Sequence, residues 1–114
     1  MNLENRNNIK PTNDVKAYIK TIKDQIIDQQ ATSLFEDLKW IKLEGVSQKD
    51  SDLYPIVSSG EGKKILLLHG FDSCFLEYRR LAPFLKKNNN LIIPDLYGFG
   101  FCPRSIGNKD GFKY

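Results

Sequence analysis

The stretch from Lys64 to Gly100 reads KILLLHGFDSCFLEYRRLAPFLKKNNNLIIPDLYGFG, and its pattern decides the fold class. Ile65 to Leu68 is a short, wholly apolar run that stops at His69-Gly70, which predicts a strand buried on both faces. A turn rich in Gly and Asp follows. Phe75 to Lys87 then places Phe75, Tyr78, Leu81, Ala82 and Leu85 at helical spacing, and Leu91 to Ile93 is a second apolar strand ending at Pro94-Asp95. Strand, helix and strand in about 30 residues make a βαβ unit, whose two strands are expected to be parallel.

Upstream of this unit the pattern is weaker. Met1 to Asn13 is polar and Asn-rich, without periodicity, and is expected to be a disordered lead. Residues 14–37 form a helical N-terminal extension. Within it Val15, Tyr18, Ile19, Ile22 and Ile26 share one stripe, predicting an amphipathic helix from Asp14 to Gln29 that Thr12 or Asn13 caps. Leu34 to Leu38 adds a short turn. Lys39 to Leu43 suggests a half-buried strand, Gly45 to Asp52 a polar connection, and Leu53 to Val57 a further strand. Pro55 cannot donate to a ladder, so that position is expected on an edge or at a bulge. Ser58 to Gly62 turns the chain into the apolar strand, and residues 38–114 are read as one incomplete α/β domain.

Composition excludes several function classes. The 17 basic and 14 acidic residues, net +3, are spread along the 114-residue chain, so no basic stripe argues for nucleic acid. Cys74 and Cys102, with no signal peptide before them, read as reduced cytosolic thiols, and a soluble cytoplasmic protein is expected. Lysines beside the stripe of the first helix could meet anionic lipid, but Asp24 and Asp28 dilute that face, so docking on its own domain is preferred over a membrane role. Gly60-Glu61-Gly62-Lys63 fails as a phosphate loop because Val57 stands where a Gly is needed and a strand follows. Gly98-Phe99-Gly100 fails as a dinucleotide fingerprint because the third position is Pro103. His69, Cys74 and Cys102 have no metal-ligand spacing, and no cofactor is implied.

Leu66 to Ser73, Glu77 to Leu81 and Pro94 to Gly100 together resemble the N-terminal part of an α/β-hydrolase-fold protein, over Trp40 to Tyr114. The resemblance implies a partial α/β-hydrolase fold, with about four N-terminal strands and one crossover helix after the amphipathic helix. The family pattern puts Ser where Cys102 stands. The implied chemistry is attack by a Ser, or in some branches an Asp, on an ester, amide, epoxide or carbon–halogen bond. In the acyl-transfer branches the resemblance implies that the developing oxyanion is held by two backbone N–H groups, one from the residue after the nucleophile and one from the loop after the third strand. That donor maps to the Phe71 N–H, in an oxyanion loop of His69, Gly70 and Asp72. His69 precedes the nucleophile in the family's chain order, so the resemblance gives it a loop-shaping role rather than that of triad base.

No serine lies in a G-x-S-x-G elbow, so the nucleophile and the triad His are not in these residues. The chain alone is therefore expected to be inactive toward a small ester-like substrate, and completion by a C-terminal half would change that. In the family's sheet the third strand pairs with the fourth and with a nucleophile-bearing fifth. Ile65 to Leu68 would then be an exposed strand open to a protein partner and prone to poor solubility, with the N-terminal helix or the Phe101 to Tyr114 tail covering part of it. The rival reading is a non-catalytic remnant that binds a partner through this edge or through the N-terminal helix.

Overall fold

A computed structural model describes residues 13–42 and 53–102. The expected lead, the Gly45 to Asp52 connection and the tail beyond Cys102 lie outside these residues. The elements run α1 (Asn13–Gln25), α2 (Gln29–Glu36), β1 (Leu38–Ile41), β2 (Tyr54–Ser59), β3 (Lys63–Leu66), a 3₁₀ turn (Phe75–Tyr78), α3 (Ala82–Leu85) and β4 (Asn89–Pro94). The four strands make one mixed sheet, and the segment joining β3 to β4 is helical. That is the α/β architecture the sequence predicts.

The strand order is β1-β2-β4-β3, with β1–β2 and β2–β4 antiparallel and β3–β4 parallel. Parallel pairing of Ile65 with Leu91 and of Leu66 with Ile92 is the βαβ expectation realised. Along β4, Leu91 and Ile93 are fully buried and meet Val57, Phe75, Ala82, Leu34 and Phe35 on one face. Ile92 turns to the other face, where Ile41, Tyr54, Ile56 and Cys102 form a smaller cluster. The period-2 alternation of a strand thus gives the sheet two cores.

The expected burial of Ile65 to Leu68 on both faces is corrected. Among the described residues β3 is the outermost strand, paired with β4 alone, and Leu66 and Leu68 are 59% and 52% exposed. Leu67 N–H donates to Ile92 O at 2.9 Å and carries the ladder with β4 one residue further, and beyond it the Tyr78 hydroxyl donates to Leu68 O. Pro55 corrects a second expectation, since β2 lies between β1 and β4. The β2–β4 ladder begins at Ile56, and Asp95 N–H donates to Pro55 O at 3.3 Å. A strand residue's N and O face the same side, so the missing N–H falls at the last pair, where β4 ends, and not inside the ladder.

The helical expectations also need revision. Asn13–Gln25 is shorter than the predicted helix, and of the predicted turn at 34–38 the first three residues end the eight-residue α2 while Leu38 begins β1. Asp28 causes the break. Its carboxylate accepts from Gln30 N–H at 2.9 Å, capping α2, and pairs with Arg79 Nε at 3.1 Å and an Arg80 terminal nitrogen at 2.8 Å. Ile19, Ile22 and Ile26 pack on the main core, so the stripe of α1 faces its own sheet. The predicted helix from Phe75 to Lys87 is two short pieces, because Pro83 lacks an N–H and so favours a fresh helical start at Ala82.

Partial desolvation works against the Asp28 charge, but Gln30 N–H, Arg79 and Arg80 together hold its carboxyl below the ordinary 3.8. A depressed folded pKa contributes stability above the unfolded value and loses it as pH falls through the folded one. Asp28→Ala is therefore expected to lower the melting temperature at pH 7, and the deficit should shrink toward pH 3. Thermal unfolding followed by circular dichroism at both pH values measures it, and an equal deficit at both would contradict the pairing.

The Ser59 to Lys63 turn explains the glycines rejected as a phosphate loop. Gly60 and Gly62 have φ of +84° and +116°, and a Cβ at either would overlap the backbone of Lys86 to Asn89. They let the chain cross closely over the start of β4 on its way from β2 to β3.

Candidate functional site

The residues between β3 and the 3₁₀ turn leave the sheet beside the residues after β4. His69 joins these two segments. Its side chain is fully buried, with Nε2 2.9 Å from Leu96 N and Nδ1 2.8 Å from Gly70 O. Because Leu96 N–H needs an acceptor, the network assigns the ring proton to Nδ1, which donates to Gly70 O. Both ring nitrogens are occupied, so the ring shapes the loop rather than facing a reacting group.

Two further side chains fix the loop from the crossover. Gly70 N–H donates to Glu77 Oε2 at 3.1 Å, and the Tyr78 hydroxyl holds Leu68 O. Asp72 adopts φ +54°, the left-handed region, which Asp tolerates better than most residues and which turns the chain back toward Phe75. Between these anchors Phe71 N–H meets no acceptor among the described residues, and Phe71 is 92% exposed. A Cβ at Gly70 would meet nothing within 4 Å, so the approach is open. Beside this donor, the Phe71 and Phe99 rings meet edge to face with centroids 5.6 Å apart, and Phe99 meets His69 at 5.9 Å.

Asp95 is the hub beneath the loop. Its buried carboxylate accepts from Phe75 N–H at 2.7 Å and Phe101 N–H at 2.8 Å, and its Oδ1 lies 3.8 Å from His69 Nε2. Burial pushes its pKa up from 3.8, although the Phe101 and Phe75 N–H groups and the nearby imidazole oppose that rise. Glu77 behaves oppositely: Gly70 N–H and then the Ser73 hydroxyl hold its carboxyl below the ordinary range. Burial raises the Cys74 pKa, so that group stays a thiol rather than a reactive thiolate.

The structure thus gathers His69, Gly70, Phe71 and Asp72 at the end of the parallel β3–β4 pair. Sequence reasoning quoted Glu77, Tyr78, Asp95, Phe99 and Gly100 within its motifs but gave them no role. Their contacts reach across as many as 30 residues, from Phe99 to His69, and leave no local pattern. Such an arrangement can offer a fixed N–H to a developing negative charge beside an aromatic wall.

No protein-family model matches the chain. Over 58 residues it is 34% identical to a fluoroacetate dehalogenase from Burkholderia sp., covering 51% of this chain and 19% of that protein. Among solved structures, a protein of Nostoc sp. PCC 7120 provisionally described as an alpha/beta hydrolase matches at 26% identity and TM-score 0.45, over 58% of this chain and 21% of that one. The Cif epoxide hydrolase from Acinetobacter nosocomialis matches at 20% identity and TM-score 0.46, over 82% and 28%. The chain therefore spans about a fifth of the length of the dehalogenase it matches.

Proposed function

We propose that this chain, related to the α/β-hydrolase-fold superfamily and of hydrolase-family origin, supplies the oxyanion side of a hydrolytic site and does not turn over substrate by itself. The observation that supports this reading is the Phe71 N–H, which meets no acceptor among the described residues and lies on a loop anchored by His69, Glu77 and Tyr78. An ester or similar electrophile presenting its oxygen there would gain a hydrogen bond as charge develops. A pre-placed donor of this kind contributes about 3 kcal/mol to a barrier. With no G-x-S-x-G among these 114 residues, this reading takes the nucleophile, acid and base from residues outside them. Location in the cytoplasm goes with this reading, since thiols rather than a disulfide at Cys74 and Cys102 suit a reducing compartment.

The test is hydrolysis of a chromogenic ester by the purified chain, alone and mixed with any polypeptide encoded just downstream. No turnover alone and turnover on mixing is the expected result. Clear turnover by the chain alone would sink the proposal.

A second reading is favoured by one observation, the exposure of Leu66 and Leu68 on the outermost strand. In it the chain is a non-catalytic remnant whose β3 edge accepts a strand from a protein partner. Leu66→Lys places a charge on that exposed position and would abolish capture of the partner while leaving the melting temperature unchanged.

A further inference from the structure

We infer that Glu77 is the positioning residue that fixes the His69–Gly70 peptide and so, together with His69 on the Gly70–Phe71 peptide, sets the direction of the Phe71 N–H, which meets no acceptor among the described residues. This inference deepens the proposed function and rests on its assignment of Phe71 as an oxyanion donor. The physical argument starts from the chain's alternatives. A loop between strand and helix has many backbone states, and an outward-facing N–H tends to be lost when the peptide flips to satisfy a neighbour. His69 restrains the far side of Gly70 by donating to its carbonyl at 2.8 Å, and that carbonyl belongs to the peptide whose N–H is Phe71. Glu77 restrains the near side by accepting Gly70 N–H at 3.1 Å. With both peptide planes of Gly70 tied, one to each anchor, the direction of the Phe71 N–H is set.

Glu77 suits this task for three reasons. It sits in the 3₁₀ turn whose first N–H, that of Phe75, is fixed by the buried Asp95 at 2.7 Å, so its backbone is anchored to the core. A carboxylate accepts hydrogen bonds only, and charge assistance makes its bond to an amide stronger than a neutral pair. The Ser73 hydroxyl is a second donor to it, tying the far end of the same loop to the same group. Two titratable neighbours couple to Glu77: His69 acts on it and Cys74 feels it. Gly70, without a Cβ, leaves the approach to the donor clear.

The experiment uses the full chain labelled with nitrogen-15, comparing wild type, Glu77→Gln and Glu77→Ala. In Glu77→Ala the Gly70 amide should exchange with solvent about fivefold faster, as loss of one modest hydrogen bond implies, and the Phe71 amide signal should move. Glu77→Gln, which keeps an acceptor oxygen, should retain the wild-type Phe71 signal. The Leu91 and Ile93 amides, deep in the sheet, should be unchanged in all three and report that the fold persists. A Gly70 amide whose exchange and shift are the same in Glu77→Ala as in wild type, with the sheet intact, would overturn the inference. Methylphosphonate added to each sample separates the two ideas. If Gly70 and Phe71 respond to Glu77 but the Phe71 amide ignores the anion, the positioning role stands and the oxyanion assignment fails.

Discussion

Phe75→Ala is expected to cost about 3–5 kcal/mol, the usual range for emptying a buried phenyl site. Phe75 is fully buried, and its ring meets Phe35 edge to face at 5.3 Å and Phe101 at 6.2 Å. These three rings join α2, the crossover and the segment after β4. Truncation to Ala would leave Phe35 and Phe101 facing a void, with the edge-to-face attraction lost as well as the apolar burial. A domain of this size has about 5–15 kcal/mol in total, and a small core sits near the lower end. The variant should therefore show a broad, early unfolding transition in guanidinium chloride. Phe75→Leu, which keeps most of the volume, should lose much less. A Phe75→Ala midpoint close to wild type would mean that the crossover does not carry the core.

The same residue shows how much of the fold could be read from the sequence. Phe75 stood at helical spacing with Tyr78, Leu81, Ala82 and Leu85, so its inward direction was legible. The break after it was not, because period counting weighs apolar positions and passes over the missing N–H of Pro83. The parallel pairing of β3 with β4 was legible from two turn-bounded apolar runs separated by a crossover. The exposure of β3 was not legible in the apolar run itself, which looks alike at the centre and at the edge of a sheet; only the resemblance pointed to an edge, and the order β1-β2-β4-β3 has the strand there. Asp28 is the clearest loss: its polar character was read as one face of a helix, whereas its partners Arg79 and Arg80 lie 51 and 52 residues away. At the site, the motif carried His69 to Asp72. It could not show that Glu77 closes on Gly70, or that Asp95 reaches both Phe75 and Phe101, since these bonds depend on how three segments meet.

Gly100→Ala should be nearly as damaging as the loss of Phe75, and for a reason that runs through Asp95. Gly100 has φ +54°, where an Ala costs about 1–2 kcal/mol, and a Cβ there would overlap the Asp95 carboxylate. Relief requires the carboxylate to move off Phe101 N–H, stranding a donor at a further cost of about 1–3 kcal/mol. Because part of the damage is a clash with one side chain, the loss in Gly100→Ala/Asp95→Ala should be smaller than the sum of the two single losses. Asp95→Asn then isolates the charge. Burial raises the folded pKa above the ordinary 3.8, outweighing the two N–H donors and the imidazole, so the folded state holds the proton more tightly than the unfolded chain does. The stability this group contributes is fully present below the unfolded value and is lost as pH rises through the folded one. Asn does not titrate, so the stability of wild type relative to Asp95→Asn should be greater at pH 4 than at pH 7. Asp28 and Glu77 remain in both proteins and cancel in the difference. Denaturant midpoints at the two pH values give the answer, and a difference that grows with rising pH would show that the N–H donors, rather than burial, govern the carboxylate on which the loop rests.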